Sequence, residues 1–281
     1  MRNHFVPQFL LRQWIDGSDK KLEAFRIDIK NLPSSRLAPS GTAYEDDLYA
    51  LSKDQVAGMS KHAIEEKFLK IIDSKAALVL EKLRTQKLNS LSADEMQDWT
   101  RFLMSLRARQ PEIITLILES SEKSLRKSLS DSPVEYKKIA SEDEPQLLEE
   151  WTEKHFPGLI ENFGLSFFHK LVDSSTIGTK ILKMTWWIWD FTGLDNHLLL
   201  ADNPCIFTKG IDDEDLVIAL PISPNKAFMA TKSERVAELM RNQSAKTLLA
   251  KINESSISQA KKKIYARNES PRRFIANRFQ H

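Results

Sequence analysis

Four short apolar runs crowd the stretch after about Ile177: KMTWWIW (183–189), HLLLA (197–201), DLVIAL (215–220) and KAFMAT (226–231). Turn residues such as Gly193, Pro204 and Pro221 bound them. A parallel strand pair needs a crossover of a dozen or more residues, and these connections are short. The spacing therefore predicts a mainly antiparallel sheet. Trp186, Trp187 and Trp189 then read as sheet packing rather than as a stacking platform, because aromatic residues fill pleated, half-buried surfaces.

The middle of the chain follows the helical period instead. Ile64, Phe68, Ile72, Ala76, Val79 and Leu83 recur at steps of three and four, which predicts an amphipathic helix of about six turns. Ser92-Ala93-Asp94-Glu95 is a capping box, and Met96, Trp99, Leu103 and Leu106 form the buried stripe of the helix it opens. Pro111 kinks or restarts that helix, and Ile113, Leu116 and Ile117 continue the pattern. A charged segment around Ser130 to Asp143 reads as a loop, with a helix to follow over Gln146–His155. Near the start, Pro7 suits the first turn of a short helix carrying Phe9, Leu10, Leu11 and Trp14, which Asp16-Gly17 ends. LEAFRI (22–27) reads as a strand, with a loop after it from Asn31 to Thr42. Two helices are expected to close the chain. The last places Ala245, Leu249, Ile252, Ala260 and Ile264 on one face, with Lys261-Lys262-Lys263 near its end, where cations suit the dipole.

The resulting expectation is one α+β domain over residues 1–281. An N-terminal helix and strand occupy 1–50, a helical region 60–175, and a sheet with closing helices 177–281, the N-terminal segment packing back on the C-terminal sheet.

Composition narrows the function classes. Hydrophobic residues make up 41% and charged residues 28%, which allows a sizeable core. A net charge of +2 argues against wholesale electrostatic binding of nucleic acid. The charge is unevenly spread: Arg241–His281 holds ten Lys/Arg against two Asp/Glu, and Glu142–Glu153 holds six acids and no base. A basic tail invites an anionic partner, although a solvated helix surface is its commonest meaning. The single cysteine, Cys205, excludes an intrachain disulfide and sits in the apolar context NPCIF, as a small buried hydrophobe would. No run approaches the roughly 18 apolar residues of a membrane span, and Pro7 and Arg12 interrupt the opening run, which argues against a secretory leader. A cytoplasmic protein is expected.

Three places carry chemistry-bearing side chains. At about 100° per residue, Arg107 falls within about 20° of Met96, on the buried face, whereas Arg109 lies at its edge. An inward arginine is either paired to a carboxylate or turned to a cleft, where it binds an anion bidentately. Asp202 and Asn203 end the HLLLA run, and Pro204 forces Asn203 out of the helical region. They can form an Asx turn or hold a polar group at a cleft. His4 precedes the short helix, whose positive end would keep the imidazole neutral and able to accept a proton. No Cys/His cluster has metal-ligand spacing, and Glu65-Glu66-Lys67 lies within a regular helical pattern. Phosphate loops, GxGxxG and GxSxG are missing from the sequence.

His4-Phe5-Val6-Pro7 with Phe9, Leu11 and Trp14 resembles the opening signature of the family catalogued as domain of unknown function 4238. The resemblance extends through Arg107-Ala108-Arg109-Gln110-Pro111, Asp202-Asn203-Pro204, Leu220-Pro221-Ile222-Ser223-Pro224, Asn253 and Ile264-Tyr265-Ala266. Where the family pattern has Ser or Thr before the Asp-Asn-Pro, this chain has Ala201. The family brings no established activity with it, but its recurring polar residues are His, Arg, Asp and Asn. A histidine for proton transfer, an arginine for an anion and an Asp/Asn pair to orient them suit hydrolysis of a phosphodiester. The expected reading is thus a soluble, nuclease-like hydrolase, of the kind found among toxins and defence proteins. His4, Arg107, Asp202 and Asn203 would be catalytic, and Arg12, Arg109 and Arg267 would guide an anionic substrate, nucleic acid or nucleotide. No cofactor is called for, and a divalent metal is left open. The alternative is a non-catalytic binding or regulatory module in which the same side chains form a structural network.

Overall fold

A computed structural model describes residues 1–52, 55–56, 59–85, 87–131, 133–141 and 143–279. Ser132 of the expected loop, Glu142 at the head of the acidic run, and His281 at the end of the basic tail lie outside the described residues. The chain opens with β1 (Arg2–His4), α1 (Gln8–Leu11), β2 (Leu22–Arg26), β3 (Ser34–Leu37), β4 (Tyr44–Asp46), β5 (Gln55–Val56) and β6 (Met59–Ser60). A π-helical turn, Ile64–Leu69, leads into α2 (Lys70–Arg84), α3 (Ala93–Ala108), α4 (Pro111–Asp131) and α5 (Pro133–Lys137). Then come α6 (Leu148–His155), α7 (Leu159–Ser166), α8 (Phe168–Val172) and α9 (Ser175–Leu182). The last third holds β7 (Thr185–Asp190), β8 (Leu200–Ala201), β9 (Ile206–Phe207), β10 (Val217–Ser223) and β11 (Lys226–Thr231). It ends with α10 (Glu234–Arg241), α11 (Ala245–Gln259), β12 (Lys263–Ala266) and α12 (Arg272–Ala276). The fold is α+β, with N-terminal strands, a helical middle and a C-terminal sheet flanked by helices.

Two compact units divide the chain. The smaller comprises Met1–Asn3, Glu45–Ile71 and Ala108–Asp173, and the larger His4–Tyr44, Ile72–Arg107 and Ser174–His281.

The larger unit contains two antiparallel four-stranded sheets. One has the order β7-β11-β10-β9: three of the apolar runs after Ile177 form β7, β10 and β11, the short β9 adds an edge, and the HLLLA run, as β8, lies in the other sheet. Every residue of β10 is buried, and its alternate side chains serve opposite faces. Val217 and Ala219, with Ala227 and Met229 of β11, join Leu248, Leu249 and Ile252 of α11 in one core cluster. On the other face, the Phe228 ring meets Trp99 of α3 at 5.6 Å and Trp186 of β7 at 5.1 Å. The β10–β11 register slips between Pro221 and Ser223, where a proline has no N–H to offer the ladder.

The second sheet has the order β3-β2-β12-β8, so the N-terminal strand pairs with the C-terminal one, Phe25 opposite Ile264. The expected closing helix, α11, is consequently shorter than its periodicity predicts, and β12 and α12 follow it. It stops at Gln259, Ile264 lies in a strand, and Lys261–Lys263 lead into β12 rather than closing a helical turn. The expected loop over Ser130 to Asp143 also needs correction, since α4 reaches Asp131 and α5 occupies Pro133–Lys137. The step from Ile64 to Phe68 becomes one of five residues, Ile64 to Leu69, because the π-turn there advances the buried face by an extra residue.

Ser92 caps α3 as its sequence predicts. The Glu95 N–H donates to Ser92 Oγ at 3.2 Å, and the Ser92 N–H donates to Glu95 Oε2 at 2.9 Å. Ser92→Ala is expected to cost about 1 kcal/mol in urea denaturation. A loss within about 0.2 kcal/mol of zero would show that water satisfies those N–H groups equally well.

In the smaller unit, α4 and α7 approach closely at Gly164. A Cβ there would stand 2.8 Å from the Ile117 carbonyl oxygen. Arg126 of α4 holds Glu122 at 3.0 Å together with Glu149 and Glu153 of α6, so an i,i+4 pair extends into a network between helices.

Candidate functional site

The residues singled out by the sequence scatter into different environments. His4 ends β1, half-buried, with its ring tilted against Tyr44 at 5.5 Å. Pro7 is the N-cap of α1 rather than its first helical residue, and α1 spans only four residues. So short a helix has little dipole with which to hold His4 neutral. Arg107 is exposed, not inward, and its guanidinium lies 4.3 Å from the centre of the Phe207 ring. The wheel misplaces it because α3 buries Trp99, Thr100 and everything from Phe102 to Leu106, so no single stripe marks an inside. Arg109 is the reverse case: it sits just past the end of α3, in the smaller unit, fully buried at 0% exposure. Burial of that degree removes it from the steering of substrate. Arg12 is exposed and reaches Gln8 Oε1 at 3.4 Å. Cys205 is buried as expected, and burial pushes its thiol up to about 12, well away from nucleophilic use.

Asp202 and Asn203 belong to a latch. From His197 to Asn203 the chain runs through β8 with its main-chain groups held from several directions. Asn253 of α11 accepts from the Leu199 N–H at 2.8 Å and donates to the His197 carbonyl at 2.9 Å. The Trp14 indole N–H donates to the Leu198 carbonyl at 2.8 Å, which is how the opening helix is anchored. Asp202, 3% exposed, accepts three backbone N–H groups, from Lys261 at 2.8 Å, Lys262 at 2.7 Å and Lys263 at 2.9 Å. Gln259 donates to the Asn203 carbonyl at 2.6 Å. These bonds end α11 and start β12. Beside them the buried Tyr265 hydroxyl meets Thr42 at 3.0 Å, and burial raises its pKa well above the phenolic range. Lys263 donates to the same Thr42 hydroxyl at 3.1 Å, its own pKa lowered by burial and by Arg26.

The structure brings Arg267 to the opposite end of β12 from the latch. The Tyr265–Leu200 pairing carries the chain there back toward His197, and a cavity of about 270 Å³ opens beside them. His197, Lys246, Leu249, Asn253, Arg267 and Phe274 are among its lining residues, and none of those residues is an acid. Arg267 Nη2 donates to Asp16 Oδ1 at 3.1 Å, while Nη1 stands 3.4 Å from His197 Nε2. Guanidinium can only donate, so Nε2 is the acceptor and Nδ1 carries the proton. Nδ1 is buried without a hydrogen-bond partner. Burial, and then the Arg267 charge, lower the His197 pKa against the opposing pull of Asp16, so the imidazole is neutral at pH 7.

Of the sequence-predicted set, only Arg267 lines this cavity. His197 was legible only as the polar head of an apolar run. Asn253 carried a better signal: an asparagine on the Leu249, Ile252 face of α11 must find partners, and here they are backbone groups of β8. Within the basic tail, Arg241, Arg272 and Arg278 pair with Glu234, Glu269 and Glu254.

Among the described residues, no three His, Cys, Asp or Glu side chains gather closely enough to hold a metal ion, and no helix is long and apolar enough to cross a membrane. No curated protein and no solved structure matches the chain. A family model does match, over residues 2–270, and the chain belongs to that family, described as protein of unknown function DUF4238.

Proposed function

We propose that the chain binds a phosphate-bearing anion in the cavity beside His197 and hydrolyses a phosphodiester there. The observation that carries this reading is the make-up of the wall: the cations Arg267 and Lys246, a neutral imidazole, and no carboxylate. Asp16 and the His197 contact each engage one Arg267 N–H, which leaves three of the five for an anion. The 3.4 Å contact with Arg267 is long for a hydrogen bond, so the Nε2 lone pair is only weakly engaged. In the reaction Nε2 takes a proton from the attacking water, the new P–O bond forms, and the ester P–O bond breaks. The departing oxygen takes its proton from solvent, and Lys246 screens the charge that develops. The single buried thiol suits a cytoplasmic setting.

His197→Ala is expected to lower hydrolysis of a nucleotide phosphodiester at least about a hundredfold, with ligand affinity held within a factor of about three. Arg267→Ala is expected to weaken binding at least about tenfold. In the wild type the acid limb of the rate profile should fall below pH 6.5, because the imidazole stays unprotonated to lower pH than a free histidine. Full activity in His197→Ala would overturn the assignment. A second reading keeps the cavity as a binding site without chemistry. It is favoured by the Arg267 Nη1 contact at 3.4 Å, which turns the His197 Nε2 lone pair toward a guanidinium rather than toward an attacking water. Tight binding with no turnover in the wild type decides for that reading.

A further inference from the structure

We infer that the cavity's ligand is a mononucleotide, its phosphate on Arg267 and Lys246 and its base against the apolar wall of Leu249, Ala250, Pro271 and Phe274. The inference rests on the reading of this cavity as an anion site and concerns what else the anion carries.

Size comes first. A volume of about 270 Å³ lies just under the range of about 300–1,000 Å³ usual for small-molecule sites, which leaves no room for a strand. The charge fits in sign: Lys246 and Arg267, the latter shared with Asp16, face no acid in the lining and suit the phosphate of a phosphomonoester, the product that cleavage of a nucleotide phosphodiester leaves. Lys246, Ala250 and Asn253 follow one another at helical spacing on α11, so a cation, a small apolar residue and an amide share one helix face. Ala250 is a small residue of the lining, where a larger side chain would take up cavity space. Phe274 adds an aromatic ring, steadied by the Arg278 guanidinium 3.7 Å from its centre. Asn196 and Asn268, both exposed and both lining the cavity, offer neutral donors and acceptors to sugar hydroxyls or a base edge. A bare phosphate would use the cations and none of the rest.

The test is calorimetric titration of the full chain with adenosine monophosphate, inorganic phosphate, adenosine and a short single-stranded oligonucleotide. Adenosine monophosphate should bind about ten- to a hundredfold tighter than inorganic phosphate, the range that one base seated on an aromatic or apolar platform supplies. Phe274→Ala should lower affinity for adenosine monophosphate about tenfold and leave phosphate affinity unchanged. Because Phe274 also touches the core, Ala250→Leu serves as the second variant; it narrows the seat without removing core contacts and should have the same selective effect. Arg267→Ala should weaken both ligands. Equal affinity for adenosine monophosphate and phosphate, or tighter binding of the oligonucleotide, would overturn the mononucleotide assignment while leaving the anion site standing. Failure of every anion to bind would remove the anion site itself.

Discussion

Asp202→Ala is expected to destabilise the protein by about 3 kcal/mol in urea denaturation. The carboxylate receives three backbone N–H groups at 2.7–2.9 Å and is 3% exposed. A buried donor stripped of its acceptor costs about 1–3 kcal/mol. Three fully orphaned donors would therefore cost more than 3 kcal/mol, but Lys261 and Lys262 are themselves exposed, so water reaches part of the vacated site. Asp202→Asn keeps one carbonyl oxygen and points an amide N–H at the remaining donors, so a loss of about 2 kcal/mol is expected. The comparison also separates a latch from a catalytic group. A latch loses stability first and keeps activity at temperatures where it stays folded. A catalytic carboxylate would lose activity in a fully folded protein. Unchanged stability in Asp202→Ala would show that the three bonds are worth no more than those water makes.

Gly164→Ala should cost about 2 kcal/mol, with the damage confined to the smaller unit. Two effects compete. Alanine in the middle of α7 gains about 1 kcal/mol of helix propensity over glycine. Against it, the new methyl group would stand 2.8 Å from the Ile117 carbonyl oxygen, 2.9 Å from Ile117 Cγ2 and 3.0 Å from Ser121 Oγ. The carbonyl belongs to the α4 backbone, so relief requires moving one helix against the other. Overpacking of that kind costs about 1–3 kcal/mol and sometimes more, and it outweighs the propensity gain. Hydrogen exchange is the suitable measurement: amides of α4 and α7 should lose protection while those of β10 and β11 keep theirs. A stabilised α7 would mean that the helices separate at little cost.

The sequence displays the parts of this fold where one period dominates. The antiparallel runs of β7, β10 and β11 and the Ser92–Glu95 box are all local or alternating signals. Its failures share a cause. α3 is buried on several sides, so a wheel that assumes one inner face sends Arg107 inward and Arg109 to the edge, and both positions are reversed. At the chain's end, helical spacing continues from Ala260 to Ile264 although α11 stops at Gln259. What stops it is the Asp202 carboxylate, some sixty residues away, which captures the N–H groups of Lys261–Lys263. No local pattern announces such a long-range cap. The cavity was hidden for a related reason: His197 acquires its surroundings only when Arg267 and Asn253 arrive from other elements.

The position of β2 between β3 and β12 has a consequence for synthesis. The ribosome makes Leu22–Arg26 long before the partner along one of its edges, Lys263–Ala266, about 240 residues downstream. At roughly 5–20 residues per second, the β2–β3 hairpin waits about ten to fifty seconds with an unpaired edge. Trp14 waits almost as long for the Leu198 carbonyl, 184 residues downstream. Throughout that interval the nascent chain presents a sticky strand edge and an unhoused indole, features that invite mispairing or a chaperone. The larger unit therefore cannot close progressively from its N-terminus, and it closes only after Lys263–Ala266 has been made.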